Sequence, residues 1–212
     1  MSEIIYLANV RLSFPHLVEA RAATDNPGAV KKYSADFIMA PDRTGFQQFY
    51  QCYSELALEK WGEHAPAVMQ LIQNDRKTRC YGNGNEKVNR KTFQPYDGYK
   101  DMVFISANNA NPPQMIQADG KPVDAGNTMA YQALARKMYG GCYVNAAIKP
   151  WPQDNMHGRG IRCDLVAIQF AADGEAFGEG AVDVTPIFGA VAVAGPAAAP
   201  AGIMGLPPFM QS

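Results

Sequence analysis

Short stretches in which apolar and polar residues alternate constrain the fold more than any other feature of this sequence. Ala8, Val10, Leu12 and Phe14 take every second position of the first stretch, which predicts a half-buried strand with these side chains on one face. Residues 32–39 repeat the pattern. Further strands are predicted at residues 102–106, 114–117, 142–149 and 161–170. Several short strands bounded by turn residues are typical of a small antiparallel barrel.

A helical segment interrupts these strands. From Thr44 to Trp61 the apolar residues follow the spacing of an amphipathic helix, and Thr44 with Gln47 matches a capping box. Pro66 suits the first turn of a second helix. We interpret the aromatic residues of the first helix as core packing rather than as a platform for stacked bases. The prediction is a mainly β fold with inserted helices (α+β), in which the helical insertion covers about residues 44–73.

Residues 82–100 follow neither period and are rich in Gly, Asn, Lys, Arg and aromatic residues. A long polar segment inside a compact domain is typically functional or disordered. From Arg76 to Lys100 there are seven cations and two acids, a local charge of +5, whereas the residues after Arg162 carry five acids and no cation. This division favours binding to a polyanion, although opposite charges can also simply balance over a solvated surface.

Cations alternate with aromatic rings along the basic segment, and single-stranded nucleic acid requires this combination. Lysine and arginine neutralise phosphates, and exposed rings stack on base faces without reading sequence. For Tyr81, stacking and burial are equally good interpretations. Phe93, Tyr96 and Tyr99 stand near Gly and Pro in a loop, which favours exposure. The nucleic-acid-binding candidates here are Lys77, Arg79, Tyr81, Lys87, Arg90, Lys91, Phe93, Tyr96, Tyr99 and Lys100.

Further candidates lie outside this segment. Lys149 and Trp151 stand at a proline-flanked corner, and Arg159 and Arg162 lie across the following loop. Loops at the mouth of a barrel commonly help to grip a nucleic-acid strand, but Trp151 could equally plug the end of the barrel. Arg11, on the polar face of the first strand, is either a phosphate contact or a solvated side chain.

No pattern in the sequence indicates catalysis. The HExxH, GxSxG and phosphate-loop motifs are absent. Asp97, Asp101, Asp119 and Asp124 could form a metal-dependent nuclease site, but their positions near turn residues favour turn formers or solvated charges. The four cysteines are scattered without a CxxC pair, which indicates reduced thiols that pack as small hydrophobic side chains. We therefore expect no cofactor and no metal.

The two ends of the chain add further expectations. The first residues lack a signal-peptide pattern and no run of about 18 apolar residues occurs, which together with the scattered cysteines predicts a cytoplasmic protein. Residues 1–183 are predicted to form the folded domain. Residues 184–212 are dominated by Ala, Gly, Pro and Val, too poor in large side chains to build a core, and are predicted to be a disordered, flexible C-terminal tail.

Several segments carry a family resemblance. Residues 139–150 (YGGCYVNAAIKP), followed by Asp154-Asn155 and by Asp173-Gly174-Glu175, resemble a phage family formerly catalogued as a domain of unknown function. That family is now associated with OB-fold single-stranded DNA-binding proteins. Residues 7–15 (LANVRLSFP) and 33–37 (YSADF) are similar to its N-terminal strands. The resemblance implies an OB-fold-like five-stranded antiparallel barrel, single-stranded DNA in a basic groove, no cofactor, and a role in phage replication or recombination in the host cell cytoplasm.

The favoured function is therefore sequence-tolerant binding and protection of single-stranded DNA. Two other functions stay open: a metal-dependent nuclease using loop carboxylates, and a structural phage protein whose Ala/Pro tail mediates assembly. Phe209 resembles the hydrophobic tip with which many replication-type binding proteins recruit partners, but residues 184–212 contain no acid, so recruitment of replication or recombination proteins through Phe209 is a hypothesis. The sequence leaves the oligomeric state open, a homodimer included.

Overall fold

The computed structural model describes residues 3–22, 28–75, 78–124, 126–156 and 158–178. Within these residues the chain forms seven strands, three α-helices and two single-turn 3-10 helices. The strands are β1 (Ile5–Ala22), β2 (Lys31–Met39), β3 (Tyr81–Asn83), β4 (Val103–Asn109), β5 (Gln114–Ile116), β6 (Tyr143–Asn155) and β7 (Gly158–Ala172). The helices are α1 (Thr44–Trp61), α2 (Ala65–Asn74) and α3 (Thr128–Lys137), with 3-10 turns at Gly62–His64 and Gly84–Glu86.

The seven strands join one sheet in the order β3-β4-β2-β1-β6-β7-β5. Neighbouring strands are antiparallel except β5 and β7, which run parallel. The mainly β fold with inserted helices is confirmed, whereas the described residues form seven strands rather than five and one pair is not antiparallel. The difference lies at the edges. β3 and β5 are three residues long, too short for a recognisable period, and β5 joins the edge opposite to β3.

The sheet is curved, as shown by contacts between strands that are far apart in its order. β4 and β7 are four places apart but contact each other, with no ladder between them in the described part of the chain. A hydrophobic core fills one face of the sheet, and α1 contributes Phe49, Tyr53 and Leu56 to it. Alternate residues of β6 face away from this core and stay half-exposed.

Two irregularities in β1 overturn part of the predicted face. Val10 and Leu12 are buried as predicted, but Ala8 is exposed and Phe14 is 42% exposed. Asn9 and Phe14 have positive φ angles of 50° and 44°, and the strand's register shifts at both places. A bulge inserts one residue into the two-residue period, so side chains beyond it change face.

β2 is buried on both faces, which the alternation did not predict. Its bounds agree with the predicted strand to within one residue. Phe37 packs in the main core, and Ile38, on the opposite face, packs in a small second cluster with Tyr99 and Phe104. The segment between β3 and β4 therefore covers the outer face of β2.

The helical insertion agrees with the sequence except at its start. Phe49, Tyr53 and Trp61 of α1 are buried, and a proline occupies the first turn of α2, both as predicted. The predicted capping box is wrong, because the N-cap residue is Arg43 and no side chain caps the helix. No helix in the described ranges is long and apolar enough to cross a membrane.

β6 and β7 form a hairpin that is longer than predicted. The sequence indicates that a strand ends before Pro150, but β6 continues to Asn155 and pairs with β7 as far as Gly158. Beyond Ile148 the described residues of β1 no longer pair with β6, so Pro150 and Pro152 lie where β6 is an edge strand. Proline is tolerated there because its missing N–H interrupts no ladder.

Candidate nucleic-acid interface

Most of the predicted polar segment forms a hydrogen-bonded loop between β3 and β4, here named the basic arm (residues 84–101). Its backbone closes on itself as a short hairpin: the Tyr96 amide donates to the Lys87 carbonyl at 3.0 Å, and the Asn89 amide donates to the Gln94 carbonyl at 2.9 Å. A Cβ atom at Gly84 would collide with the carbonyl oxygen of Tyr99, so this close approach of the two ends requires glycine. The arm consequently has a base on the sheet and a tip at residues 90–93.

A buried carboxylate holds the base of the arm. Asp36 of β2 is 7% exposed. Its Oδ2 accepts a hydrogen bond from the Tyr99 hydroxyl at 2.7 Å and pairs with the Lys87 ammonium, while its Oδ1 accepts from Ser106 Oγ at 2.5 Å. Burial and the neighbouring Asp36 charge raise the pKa of the Tyr99 phenol, which keeps its hydroxyl a donor. We call Asp36, Lys87, Tyr99 and Ser106 the Asp36 anchor.

The Lys87 ammonium also lies among aromatic rings. Its Nζ atom is 4.6 Å from the ring centroid of Phe104, 5.1 Å from that of Phe14 and 5.3 Å from that of Tyr99. Tyr99 is fully buried, so the predicted exposure of this ring is wrong. Its hydroxyl donates to the buried Asp36, a partner that is distant in sequence and that no local pattern indicates. The charge of Lys87 is compensated by Asp36 within the protein.

The tip of the arm shows the opposite environment. Arg90 and Lys91 are exposed, and neither forms a salt bridge with a described residue. Phe93 is 78% exposed, as expected, with a positive φ angle of 56°. Tyr96, nearer the base, is half-buried and meets Phe14 edge to face, with ring centroids 5.1 Å apart.

A groove of about 410 Å³ opens beside the base of the arm; we name it the Arg11 groove. Among the described residues, three cations line it and no carboxylate side chain does. Its cations are Arg11 of β1, Arg43 before α1 and Lys100 of the arm, and its other lining residues include Tyr143, Asn9, Ile38, Met39 and Met102. The structure thus brings together two predicted residues, Arg11 and Lys100, which are distant in sequence.

Arg11 is neither free nor paired with an acidic side chain among the described residues. Its Nη2 donates to the Glu175 carbonyl at 2.6 Å. Its guanidinium carbon lies 4.5 Å from the ring centroid of Phe177 and 5.3 Å from that of Tyr143. The side chain is half-buried and held in one orientation, and its positive charge stays uncompensated by a carboxylate in the described part of the molecule.

Cations of the β6–β7 hairpin have acidic neighbours. Lys149 pairs in the ladder with Asp164, and the Trp151 indole donates to Asp164 Oδ1 at 2.8 Å. Arg159 forms a 3.3 Å salt bridge with Asp154. A hydrogen bond from the Trp61 indole lowers the pKa of Asp154, so this carboxylate stays charged. Trp151 is half-buried, not a fully buried plug.

Arg79 and Tyr81 belong to the packed side of the molecule. Arg79 forms a 2.6 Å salt bridge with Glu86, and its side chain is 10% exposed. Tyr81 is half-buried and meets Tyr53 and Phe49 edge to face, with centroids 5.0 and 5.6 Å apart. Of the two interpretations of Tyr81, the structure favours burial. Lys77 and Phe209 lie outside the described residues.

Arg43 and Tyr143 were missed by the sequence reasoning. Arg43 follows β2 at the start of a helix and looks like an ordinary solvated cation. Tyr143 had a usable signal, because β6 alternates and Tyr143 precedes the buried Val144. What the sequence could not show is that both residues line one groove with Arg11.

The carboxylates considered for a nuclease occupy separate turns. Asp119 and Asp124 accept hydrogen bonds from the backbone amides of Lys121 and Gly126, which confirms them as turn formers. Asp97 accepts from the Gly178 amide, whereas the Asp101 amide and carboxylate are bonded to Asn85. No group of three or more His, Cys, Asp or Glu residues suited to a metal ion occurs within the described ranges.

The four cysteines are free and buried, as the small-hydrophobe interpretation predicted. Burial raises the pKa of the Cys80 thiol to about 12, and it raises that of Cys142 to about 11. Both groups therefore stay protonated at neutral pH and are poor nucleophiles.

Comparisons with known proteins agree with the resemblance inferred from the sequence. The family described as Enterobacter phage Enc34, ssDNA-binding protein matches residues 3–194, and the chain belongs to this family. Protein p50 of Acyrthosiphon pisum secondary endosymbiont phage 1 is 32% identical over 180 residues, which cover 84% of this chain and 88% of that protein.

Solved structures of the bacteriophage Enc34 protein are also similar. The single-stranded DNA-binding protein from bacteriophage Enc34 in complex with ssDNA has a TM-score of 0.60 and 25% identity, over 82% of this chain and 89% of that one. A second structure of the bacteriophage Enc34 protein has a TM-score of 0.56 and 23% identity, over 87% and 89% of the two chains, and shows the shared fold.

Proposed function

We propose that this chain binds single-stranded DNA without catalysis and without strong sequence preference, and protects it during phage replication or recombination. The observation that carries the proposal is the Arg11 groove, a cavity whose described lining includes three cations and one tyrosine but no carboxylate side chain. Membership of the Enc34 family and the 25% identity to a protein solved in complex with ssDNA support it.

The chemistry of the groove suits an unpaired strand. Cations that neutralise phosphates release counterions, and a ring such as Tyr143 offers a face on which any base can stack. The apolar lining residues Ile38, Met39 and Met102 suit base surfaces that a duplex would keep stacked inside itself. None of these contacts requires a particular base, which accounts for sequence tolerance.

In this proposal some of the predicted residues contact DNA and the others stabilise the fold. Arg11 and Lys100 act in the groove, and Arg90, Lys91 and Phe93 act at the tip of the arm. Tyr96 lies between them. Lys87, Tyr99, Arg79 and Tyr81 support the fold, because each is engaged inside the protein. Lys149, Trp151 and Arg159 contribute less, because each is close to a carboxylate.

We further propose that the curled sheet is an OB-type barrel. The approach of β4 to β7 supports this, because these strands would close such a barrel. A protein with this function would work where the phage genome is copied, in the cytoplasm of the host cell.

Oligonucleotide binding at two salt concentrations tests the proposed function. We expect tight binding to single strands of mixed sequence, weaker binding to duplexes, and no cleavage of labelled DNA with magnesium or manganese present. K100Q should weaken binding to all sequences and reduce the slope of log K against log salt by about 0.7, the value for one phosphate contact on a single strand.

K137Q is the matched control, because Lys137 in the last turn of α3 does not line the groove. It should bind like the wild type. If K100Q and R11Q both keep the wild-type affinity and salt slope, the groove is not the binding site and the proposal is wrong.

A further inference from the structure

A second cavity adjoins the Arg11 groove at Arg43 and Met39. It has a volume of about 320 Å³, and Arg43 and Met39 line both cavities. Tyr6, Thr44 and Gln48 also line the second cavity, which we name the Tyr6 cavity. Because the two cavities share lining residues, they are adjacent at Arg43.

Hydrogen bonds to backbone carbonyls orient Arg43, and no described carboxylate compensates its positive charge. Its Nη2 donates to the Ala8 carbonyl at 3.0 Å and to the Asn9 carbonyl at 3.2 Å. Both carbonyls belong to the irregular part of β1, where Asn9 has its positive φ angle. No salt bridge among the described residues involves Arg43. A guanidinium that is held in one orientation, and whose charge no carboxylate compensates, can bind an anion such as a phosphate.

Tyr6 presents an uncovered ring on the same strand. It is 58% exposed, and its ladder partner on β6 is Ala147, whose methyl group covers little of the ring. Tyr6 makes no ring–ring contact with another described aromatic residue. The cavity beside it has an apolar floor of Leu7, Val10 and Met39. A ring with an apolar floor suits a nucleobase better than a phosphate.

From the Tyr6 cavity to the Arg11 groove, side chains from three elements therefore alternate as ring, cation, ring: Tyr6 of β1, Arg43 before α1, and Tyr143 of β6, which pairs with Arg11. We propose that the DNA strand in the Arg11 groove continues past Arg43 into the Tyr6 cavity, where a base stacks on Tyr6, and that Arg43 binds the phosphate between the two cavities. This inference rests on the proposed function and extends it to residues that lie outside the basic segment.

A length series of oligothymidine tests this path with the full-length protein. Short oligonucleotides that fill only the Arg11 groove should bind Y6A as tightly as the wild type. Oligonucleotides long enough to reach both cavities should bind Y6A about tenfold more weakly, the loss expected for one stacked base. Y6F keeps the ring and should restore binding. R43Q should lower the salt slope by about 0.7 on the long oligonucleotides and by less on the short ones, which reach Arg43 only from the Arg11 groove.

The matched controls are Y50A and R136Q. Tyr50 is 45% exposed on α1, Arg136 is exposed on α3, and neither lines the two cavities. Both variants should bind every length like the wild type. Oligonucleotides carrying 5-iodouracil should photo-crosslink to Tyr6 when they are long and not when they are short. Thermal unfolding checks that each variant is folded.

The outcomes separate this inference from the proposed function. If Y6A and R43Q bind all lengths with wild-type affinity and slope while K100Q binds weakly, the strand does not enter the Tyr6 cavity, but the Arg11 groove stands. If K100Q and R11Q are also neutral, the proposed function itself fails. A loss in Y6A that Y6F does not restore contradicts stacking.

Discussion

The base and the tip of the basic arm have similar residue types but opposite environments. At the base, Lys87 and Tyr99 are held by the buried Asp36 carboxylate and by neighbouring rings. At the tip, Arg90 and Lys91 have no salt bridge in the described residues, and Phe93 is 78% exposed. A cation in a basic, aromatic sequence is therefore available for a ligand only if no carboxylate of the fold compensates its charge, and a ring only if the fold leaves it exposed.

The largest expected effect comes from breaking the Asp36 anchor. D36N leaves the Lys87 ammonium half-buried without its counter-charge. Unfolding in urea should show a loss of about 3 kcal/mol, near the lower limit for a broken buried pair because Lys87 keeps some contact with water. D42N is the matched control, because Asp42 is exposed, and its effect should stay within about 0.5 kcal/mol. An equal loss in both variants would contradict the anchor.

The tip should respond in binding rather than in stability. F93A removes an exposed ring, so we expect it to weaken binding to single-stranded DNA by about 2 kcal/mol, within the range for one stacked base. Its free energy of unfolding should change by less than about 0.5 kcal/mol. Fluorescence anisotropy and urea unfolding measure the two quantities. If F93A is destabilised but binds DNA normally, Phe93 stabilises the fold, as the residues at the base of the arm do, and does not contact DNA.

Y99F is the counterpart of F93A at the base. It removes one hydroxyl that donates to Asp36 and keeps the ring, so we expect a loss of about 1 kcal/mol in the free energy of unfolding. DNA affinity of the folded protein should not change, because Tyr99 is fully buried. Weaker DNA binding at unchanged stability would show that the ring or its hydroxyl reaches the ligand.

R159Q should have the smallest effect and extends the comparison to another part of the molecule. Arg159 pairs with Asp154, so its positive charge is partly compensated and is less available to a phosphate than that of an unpaired cation. We expect the salt slope of binding to fall by less than in K100Q, and the free energy of unfolding to change by less than about 0.5 kcal/mol. A fall equal to that of K100Q would show that the salt bridge opens for a phosphate.

Local periodicity predicted much of the fold but could not predict where the period resets. The bounds of β2 and the aromatic face of α1 are determined by nearby residues and agree with the sequence. The irregularities at Asn9 and Phe14 left Ala8 and Phe14 off the predicted face of β1, and the edge position of Pro150 let β6 continue. Both depend on which strand lies alongside, and a single segment does not contain that information.

The sequence predicted that cations and aromatic rings form the candidate site, but not which individual residues belong to it. Lys100 and Arg11 line the groove, yet Lys87 pairs with an aspartate 51 residues earlier in the chain, and no local signal reveals that partner. Arg43 was missed for the converse reason. It follows β2 as an isolated cation and becomes part of the groove only when the sheet brings it beside Arg11.

Cations whose charge no carboxylate compensates should bind DNA phosphates, whereas Lys87, whose charge Asp36 compensates, should not. The most direct measurement is the salt dependence of single-stranded DNA binding by K87Q and by the double variant R90Q/K91Q. We expect the slope to fall by about 1.4 in the double variant, for two lost phosphate contacts, and to stay unchanged in folded K87Q. An unchanged slope in the double variant, or an equal fall in K87Q, would contradict it.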